Sequence, residues 1–274
     1  MRLSIESRNE LNNGVGMPVL GLGVWQMPTG QTKRAVLDAF EAGYRLIDTA
    51  ALYGNEHEVG EAFNASRLPR DELFLTTKLW YTEHGYERAL KGFEASISRL
   101  GVKDVDLYLI HWPDGGQRLE TWKAFEKLLK DGRCRAIGVS NFSIRHLQEL
   151  MDNSEVVPAV NQVEFHPYLY QEELLEFCKR NDIQLEAYSP LGHGGLVNDA
   201  KLKALAKKYQ RTTAQLMIRW GLQHDVIMIP KSSRRERILE NANVFDFEIS
   251  PKDMISIDSL GHTQRTVRDP TNIP

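Results

Sequence analysis

The chain has 274 residues, of which 42% are hydrophobic and 26% charged, with a formal net charge of −3 at pH 7. That length holds one large α/β domain or two small ones, and the composition excludes a disordered chain, a collagen-like repeat and a small disulfide scaffold. A charge so near zero points away from nucleic acid and anionic membranes as partners; no cationic start followed by an apolar run suggests a signal peptide, and no run of about 18 apolar residues suggests a membrane helix.

After a polar N-terminal segment, eight short apolar runs read as strands: "VLGLGV" (19–24), "YRLID" (44–48), "LFLTTKL" (73–79), "VDLYLIHW" (105–112), "CRAIGVS" (134–140), "PAVNQVE" (158–164), "IQLEAYS" (183–189) and "VIMIP" (226–230). Most are followed by stretches with apolar residues three and four apart, such as "YERALKGFEASISRLG" and "LETWKAFEKLLKDG", which predict amphipathic helices. Gly43, Gly101, Gly132 and Asn181 stand where such helices should stop. Short strands rich in Val, Ile and Leu that barely alternate suit a parallel sheet covered by helices. Eight units of roughly 30 to 35 residues fit a (β/α)8 TIM barrel of about 250 residues, with an open doubly wound sheet as the alternative. No linker divides the chain, so a single domain over residues 1–274 is expected. Cys134 and Cys178, set between apolar runs, read as packed, reduced thiols of a cytoplasmic protein.

"GLGVWQ" begins like a dinucleotide-binding glycine fingerprint, but Gln26 stands in place of the third glycine. Its glycines serve equally well for close backbone approach at a barrel mouth.

In a barrel the strand ends converge on one face. Asp48 ends the second predicted strand and Tyr53 lies in its loop, while Lys78 closes the third and His111 the fourth. Each has a structural reading: a turn cap, a half-buried filler, a snorkelling lysine, a satisfied core histidine. Together they suggest chemistry, because a lysine in the apolar setting "TTKLW" needs a carboxylate partner. An ammonium about 4 Å from a phenol stabilises the phenolate by up to roughly 4 kcal/mol, equivalent to about three pKa units. Lys78 is therefore expected to bring Tyr53 down towards the range of a useful acid, with Asp48 holding Lys78 and neutral His111 orienting a carbonyl. His166, in "FHP", has no second ligand at metal-binding spacing, so a structural role and no metal are expected.

The segments "GLGVW", "DTAALYGNE", "TTKLW", "DLYLIHWP", "GVSNF", "NQVEFHP", "YSPLG" and "IPKSSRRERILEN" resemble, in order and across nearly the whole chain, the aldo-keto reductase family. The resemblance implies a (β/α)8 barrel that reduces a small carbonyl substrate with NADPH, NADH serving less well, and a catalytic tetrad of Asp48, Tyr53, Lys78 and His111. It implies a cofactor site at Gly23, Val24 and Trp25 and at Ser140, Asn141 and Gln162, whose polar groups suit a nicotinamide carboxamide. Tyr188 would stack on the nicotinamide ring, and Ser189, Leu191 and Gly192 would meet the pyrophosphate. Lys231, Ser232, Arg234 and Arg237 would hold a 2′-phosphate, with Glu240 and Asn241 near the adenine. "KSSRRER" brings four cations after the last strand, which favours NADPH over NADH. Trp25, Trp80 and Trp112 would line the substrate pocket with His111.

The short loops "PDGGQRLE" and "GHGGLVND" resemble the microbial diketogluconate reductase branch and imply a weak clamp on the cofactor, fast NADP+ release and turnover limited by chemistry. The tail "GHTQRTVRDPTNIP" would cover one side of the mouth, and the protein is expected to be monomeric. Two other readings are a cofactor-binding partner protein, which would tolerate loss of Tyr53 or Lys78, and a metal-dependent hydrolase, for which paired histidine ligands are lacking.

Overall fold

Eight short strands pair in parallel, each with the next in the chain: β3 (Gly21–Gly23), β4 (Leu46–Asp48), β5 (Phe74–Leu79), β6 (Val105–Ile110), β7 (Cys134–Ser140), β8 (Val160–Glu164), β9 (Gln184–Tyr188) and β10 (Ile227–Met228). The first and last are joined by bridges from Leu20 to Met228 and from Gly23 to Lys231, so the sheet comes round into a barrel. This computed structural model describes residues 3–113, 116–261 and 263–273. Asp114 and Gly115 of the predicted loop, and His262 and Pro274 of the predicted tail, lie outside the described residues.

Helices α1 (Thr32–Glu41), α2 (Glu56–Ala65), α3 (Tyr86–Leu100), α4 (Arg118–Lys130), α5 (Ile144–Asp152), α6 (Glu172–Arg180), α7 (Ala200–Lys208), α8 (Thr213–Gln223), α9 (Arg235–Ala242) and α10 (Pro251–Asp258) follow the strands. Their apolar spacing explains why they coat the barrel. In α3, Ala89, Phe93, Ile97 and Leu100 recur at three and four residues and are buried, and Gly101 in the left-handed region at φ 64° ends the helix. β5 and β6 are buried along their whole length, as a barrel filled within and covered without requires. Cys134 and Cys178 are buried free thiols in this core, and burial pushes the thiol pKa of both up.

The glycines of "GLGVWQ" serve barrel closure. A Cβ on Gly21 would lie 2.4 Å from Leu46 Cγ, and one on Gly23 would lie 3.0 Å from the Ile229 carbonyl oxygen. At these two positions the first strand is packed too tightly for a side chain.

The polar N-terminal segment contains structure that the sequence pattern did not announce. β1 (Arg8–Glu10) and β2 (Gly16–Pro18) form an antiparallel hairpin. Leu11 and Met17 bury themselves against Leu46, Phe74, Leu107 and Ile227, and Asn13 Nδ2 donates to the Arg135 carbonyl at 2.9 Å, so the hairpin plugs the end of the barrel opposite the strand C-termini. Strands of three residues, one wholly polar and the other Gly-Met-Pro, carry too little alternation to be read as strands.

Candidate active site

At the C-terminal ends of the strands lies a cleft of about 1410 Å³, and its floor is a buried ion pair. Lys78 in β5 is 0% exposed, and its Nζ donates to Asp48 Oδ1 at 2.6 Å, to the Thr49 carbonyl at 3.0 Å and to Tyr53 Oη at 3.3 Å. Three acceptors satisfy the three hydrogens of the ammonium. The same nitrogen lies 4.9 Å from the centre of the Tyr53 ring. Tyr53 reaches this position because β4 stops at Asp48 and the chain folds into a short 3-10 turn, Ala51–Tyr53. Thr49 Oγ1 donates to Asn55 Oδ1 at 2.8 Å, and Asn55 Nδ2 donates to the Val24 carbonyl at 2.9 Å, which ties that turn to the residue just after the first barrel strand.

Burial works against the charge on Lys78, but Asp48 and Tyr53 outweigh it, and the net pKa is raised. Burial pushes the Asp48 carboxyl up while Lys78 and Gln162 pull it down, an arrangement that keeps the two groups together as a hydrogen-bonded pair. Tyr53 corrects a sequence expectation. Desolvation pushes its pKa up to about 12, Lys78 pulls it down and Asp48 pushes it up again. The ammonium is placed as expected, but the dry setting counts for more, and the phenol holds its proton at neutral pH.

His111, the residue after β6 and its neighbour Ile110, packs edge-on against Tyr53 at 5.6 Å between ring centres and against Trp80 at 5.1 Å. Burial, with Lys78 nearby, lowers its pKa well below the ordinary value, so the imidazole is neutral. Its Nδ1 is buried without a partner among the described residues. Asn141, in the left-handed region at φ 64°, donates to the His111 carbonyl at 3.0 Å and accepts from the Tyr188 hydroxyl at 2.7 Å. The ring of Tyr188 is thereby pinned at the end of β9.

Asp48, Tyr53, His111, Trp25, Trp80 and Trp112 all line the cleft, and Lys78 lies beneath them. Gly23, Ser140, Asn141, Gln162, Tyr188, Ser189 and Leu191 line it too, as do Lys231, Ser232, Arg234, Arg237, Glu240 and Asn241. Two residues expected with these do not. Val24 is fully buried in the core, and Gly192 is buried against Leu196. A third correction concerns the four cations of "KSSRRER". Arg235 turns away to α1, 3.0 Å from Asp38 and 2.6 Å from Glu41, which leaves Lys231, Arg234 and Arg237 on the cleft. His166 is buried and paired with Glu164 at 3.1 Å, and among the described residues no three metal-ligating side chains cluster.

The cleft also contains residues that strand-end reasoning missed. Lys203 and Lys207 of α7, with Arg211 and Thr212 before α8, add a second cationic wall. The signal was present as lysines four apart in "AKLKALAKK", but an exposed charged helix face usually means only solvation. His193 reaches Trp25, with ring centres 5.1 Å apart, and Val267 of the C-terminal tail lines the cleft. The backbone N–H of Thr266 donates to Glu164 at 2.8 Å and anchors that tail.

The aldo/keto reductase family model matches residues 14–262. The chain belongs to the aldo-keto reductase family. This aldo-keto reductase is 48% identical over 274 residues to a glyoxal reductase of Bacillus subtilis (strain 168), covering 100% of this chain and 99% of that one. It is also 48% identical over 266 residues to a 9,11-endoperoxide prostaglandin H2 reductase of Trypanosoma cruzi (strain CL Brener), covering 96% and 94%. Its fold superposes on an aldo-keto reductase from a Medee basin deep-sea metagenome library with a TM-score of 0.94 at 44% identity, covering 97% and 99% of the two chains. A Bombyx mori aldo-keto reductase in complex with NADP gives 0.93 at 33% identity, covering 99% and 98%. The family makes this protein an oxidoreductase acting on carbonyl groups. Among the described residues no helix is long and apolar enough to cross a membrane.

Proposed function

We propose that the protein is an NADPH-dependent reductase of small, uncharged aldehydes and ketones. The observation that carries this reading is the position of Lys78 Nζ, 2.6 Å from Asp48 and 3.3 Å from the hydroxyl of Tyr53, in a cleft whose other wall offers neutral His111. The residues present fit the cofactor. Gln162 gives both amide hydrogens to carboxyl groups and keeps its oxygen for a carboxamide donor, Ser140 adds a hydroxyl, and Tyr188 is fixed by Asn141 as a flat platform. Lys231, Arg234 and Arg237 surround Ser232 beside the start of α9, where a dianionic phosphate gains charge-assisted hydrogen bonds and the favourable end of a helix dipole. When bound, NADPH supplies a hydride.

Tyr53 supplies the proton. An alkoxide is far more basic than a phenolate, so a phenol near pKa 12 still protonates it, and Lys78 stabilises the phenolate left behind. Asp48 keeps Lys78 charged and in place. His111 donates a hydrogen bond to the carbonyl oxygen as a neutral imidazole, which polarises and orients it. The aromatic walls exclude water. Reversal of these steps oxidises an alcohol.

Among the described residues the cations on the cleft come only from residues 203–211 and 231–237, whereas Trp25, Leu52, Trp80, Trp112 and Val267 offer no charge to a substrate carboxylate. Dicarbonyls of the glyoxal type and aromatic aldehydes therefore fit better than a keto acid or a diketogluconate. The similarity to a glyoxal reductase and to an NADP complex supports this reading. The His193–Trp25 contact bridges the mouth in spite of the short loop, so we also propose that cofactor release is slower than loop length alone suggests. The protein is further read as cytoplasmic and monomeric. The test is NADPH oxidation with methylglyoxal, an aromatic aldehyde and a keto acid, repeated with NADH. Turnover of the first two above the third, stronger with NADPH, is the expected result, and a preference for the keto acid would overturn the substrate reading.

A further inference from the structure

Beneath the cleft lies an acidic residue that the mechanism above does not use. Glu186 in β9 is 0% exposed and stands in register with Gln162 of β8. Gln162 Nε2 donates to Asp48 Oδ2 at 2.8 Å and to Glu186 Oε2 at 2.8 Å, while Glu186 Oε1 is buried with no partner among the described residues. A carboxyl in such a place is unfavourable for the fold, because its only hydrogen-bond donor among the described residues is an amide shared with a second carboxyl. The charged and titratable groups facing it are Asp48 on β4, Lys78 on β5 and Tyr53 on the turn after β4. On the flanking strands its register partners are Gln162 and the apolar Ile227.

We propose that Glu186 is a positioning residue for the reduction, which orients the Gln162 amide oxygen towards the cleft and sets by its charge how strongly Lys78 stabilises the phenolate of Tyr53. The proposal rests on the reductase reading. Burial, reinforced by Asp48, pushes the Glu186 carboxyl up to about 8, against the pull of Gln162 and Lys78, so it is neutral at neutral pH and ionises just above. While it is neutral, Lys78 is offset by Asp48 alone. Once it ionises, a second negative charge opposes the ammonium, the phenolate is less stable and Tyr53 is a poorer acid. Its proton passes to solvent and is not the one transferred to product. Reduction should therefore slow as pH rises through about 8.

The test is kcat for NADPH-dependent methylglyoxal reduction from about pH 6 to about pH 10, with the deuteride isotope effect measured at each pH so that the chemical step is read. Wild type, Glu186→Gln and Glu186→Asp are compared, with NADPH fluorescence and circular dichroism as checks on folding. Wild type is expected to fall roughly three- to tenfold through a step near the Glu186 pKa, E186Q to lack that step, and E186D to keep a displaced one. The same step in E186Q, or no step in wild type, would overturn the proposal. If E186Q does not fold, E186D decides, because an unmoved step assigns the titration elsewhere. Absence of carbonyl reduction by wild type at every pH is a different outcome, which removes the reductase reading itself.

Discussion

At the floor of the cleft Lys78 is fully buried and held between Asp48 and Tyr53, whereas at the rim Lys231, Arg234 and Arg237 are exposed to solvent. The residue types are the same and the physics differs. On the floor burial removes solvent as a competing partner, so every hydrogen of the ammonium has a protein acceptor, and the loss of Lys78 or Asp48 alone leaves the other charge stranded. At the rim water competes, single contacts contribute modestly and salt screens them. The floor has the physics that the proposed proton transfer from Tyr53 needs, and the rim that of the proposed reversible capture of a phosphate.

The largest expected effect is at the floor. Tyr53→Phe should lower kcat by about 10²- to 10⁴-fold, the usual contribution of a general acid, while NADPH affinity measured by fluorescence quenching changes little. A rate loss matched by a loss of affinity would place Tyr53 among the binding residues instead.

Lys78→Met should abolish turnover and also destabilise the fold by about 3–5 kcal/mol in urea unfolding, because Asp48 is left buried and charged without its partner. The double variant D48N/K78M should recover much of that stability and none of the activity. Equal stability of the single and double variants would show that the pair is less isolated from water than its burial implies.

At the rim the effects should be smaller and selective. Arg234→Ala should weaken NADPH binding about tenfold, leave NADH nearly unchanged and reduce the salt dependence of NADPH affinity, all readable by isothermal titration. An equal loss for both cofactors would mean that Arg234 does not meet the 2′-phosphate. His193→Ala removes one aromatic contact across the mouth, and release of NADP+ followed by stopped flow should accelerate a few-fold. An unchanged release rate would return the short loop to the role expected from its length.

The same contrast governs what could be read from the sequence. All eight barrel strands were legible because buried strands are dense in Val, Ile and Leu, and Asp48, Lys78 and His111 were legible because charged or titratable residues ending such strands need a reason. Glu186 was missed although it too lies within a strand. "IQLEAYS" gives no sign of whether Glu186 faces the barrel interior or a helix, and only the register with Gln162 decides it. Arg235 was counted with the phosphate cations because position along α9, which turns it towards Asp38 and Glu41, is invisible in a run of like charges. The α7 wall and the hairpin β1–β2 were hidden for a related reason: their placement is set by packing partners far away in sequence.

The most direct test of the account is a single-turnover experiment in which enzyme loaded with NADPH is mixed with methylglyoxal and cofactor absorbance is followed for wild type and Tyr53→Phe. The account predicts rapid loss of NADPH in wild type and a rate lower by about 10²- to 10⁴-fold in the variant at saturating cofactor and substrate. Equal rates in the two proteins would contradict it, because the proton would then come from somewhere other than the phenol that Lys78 and Asp48 support.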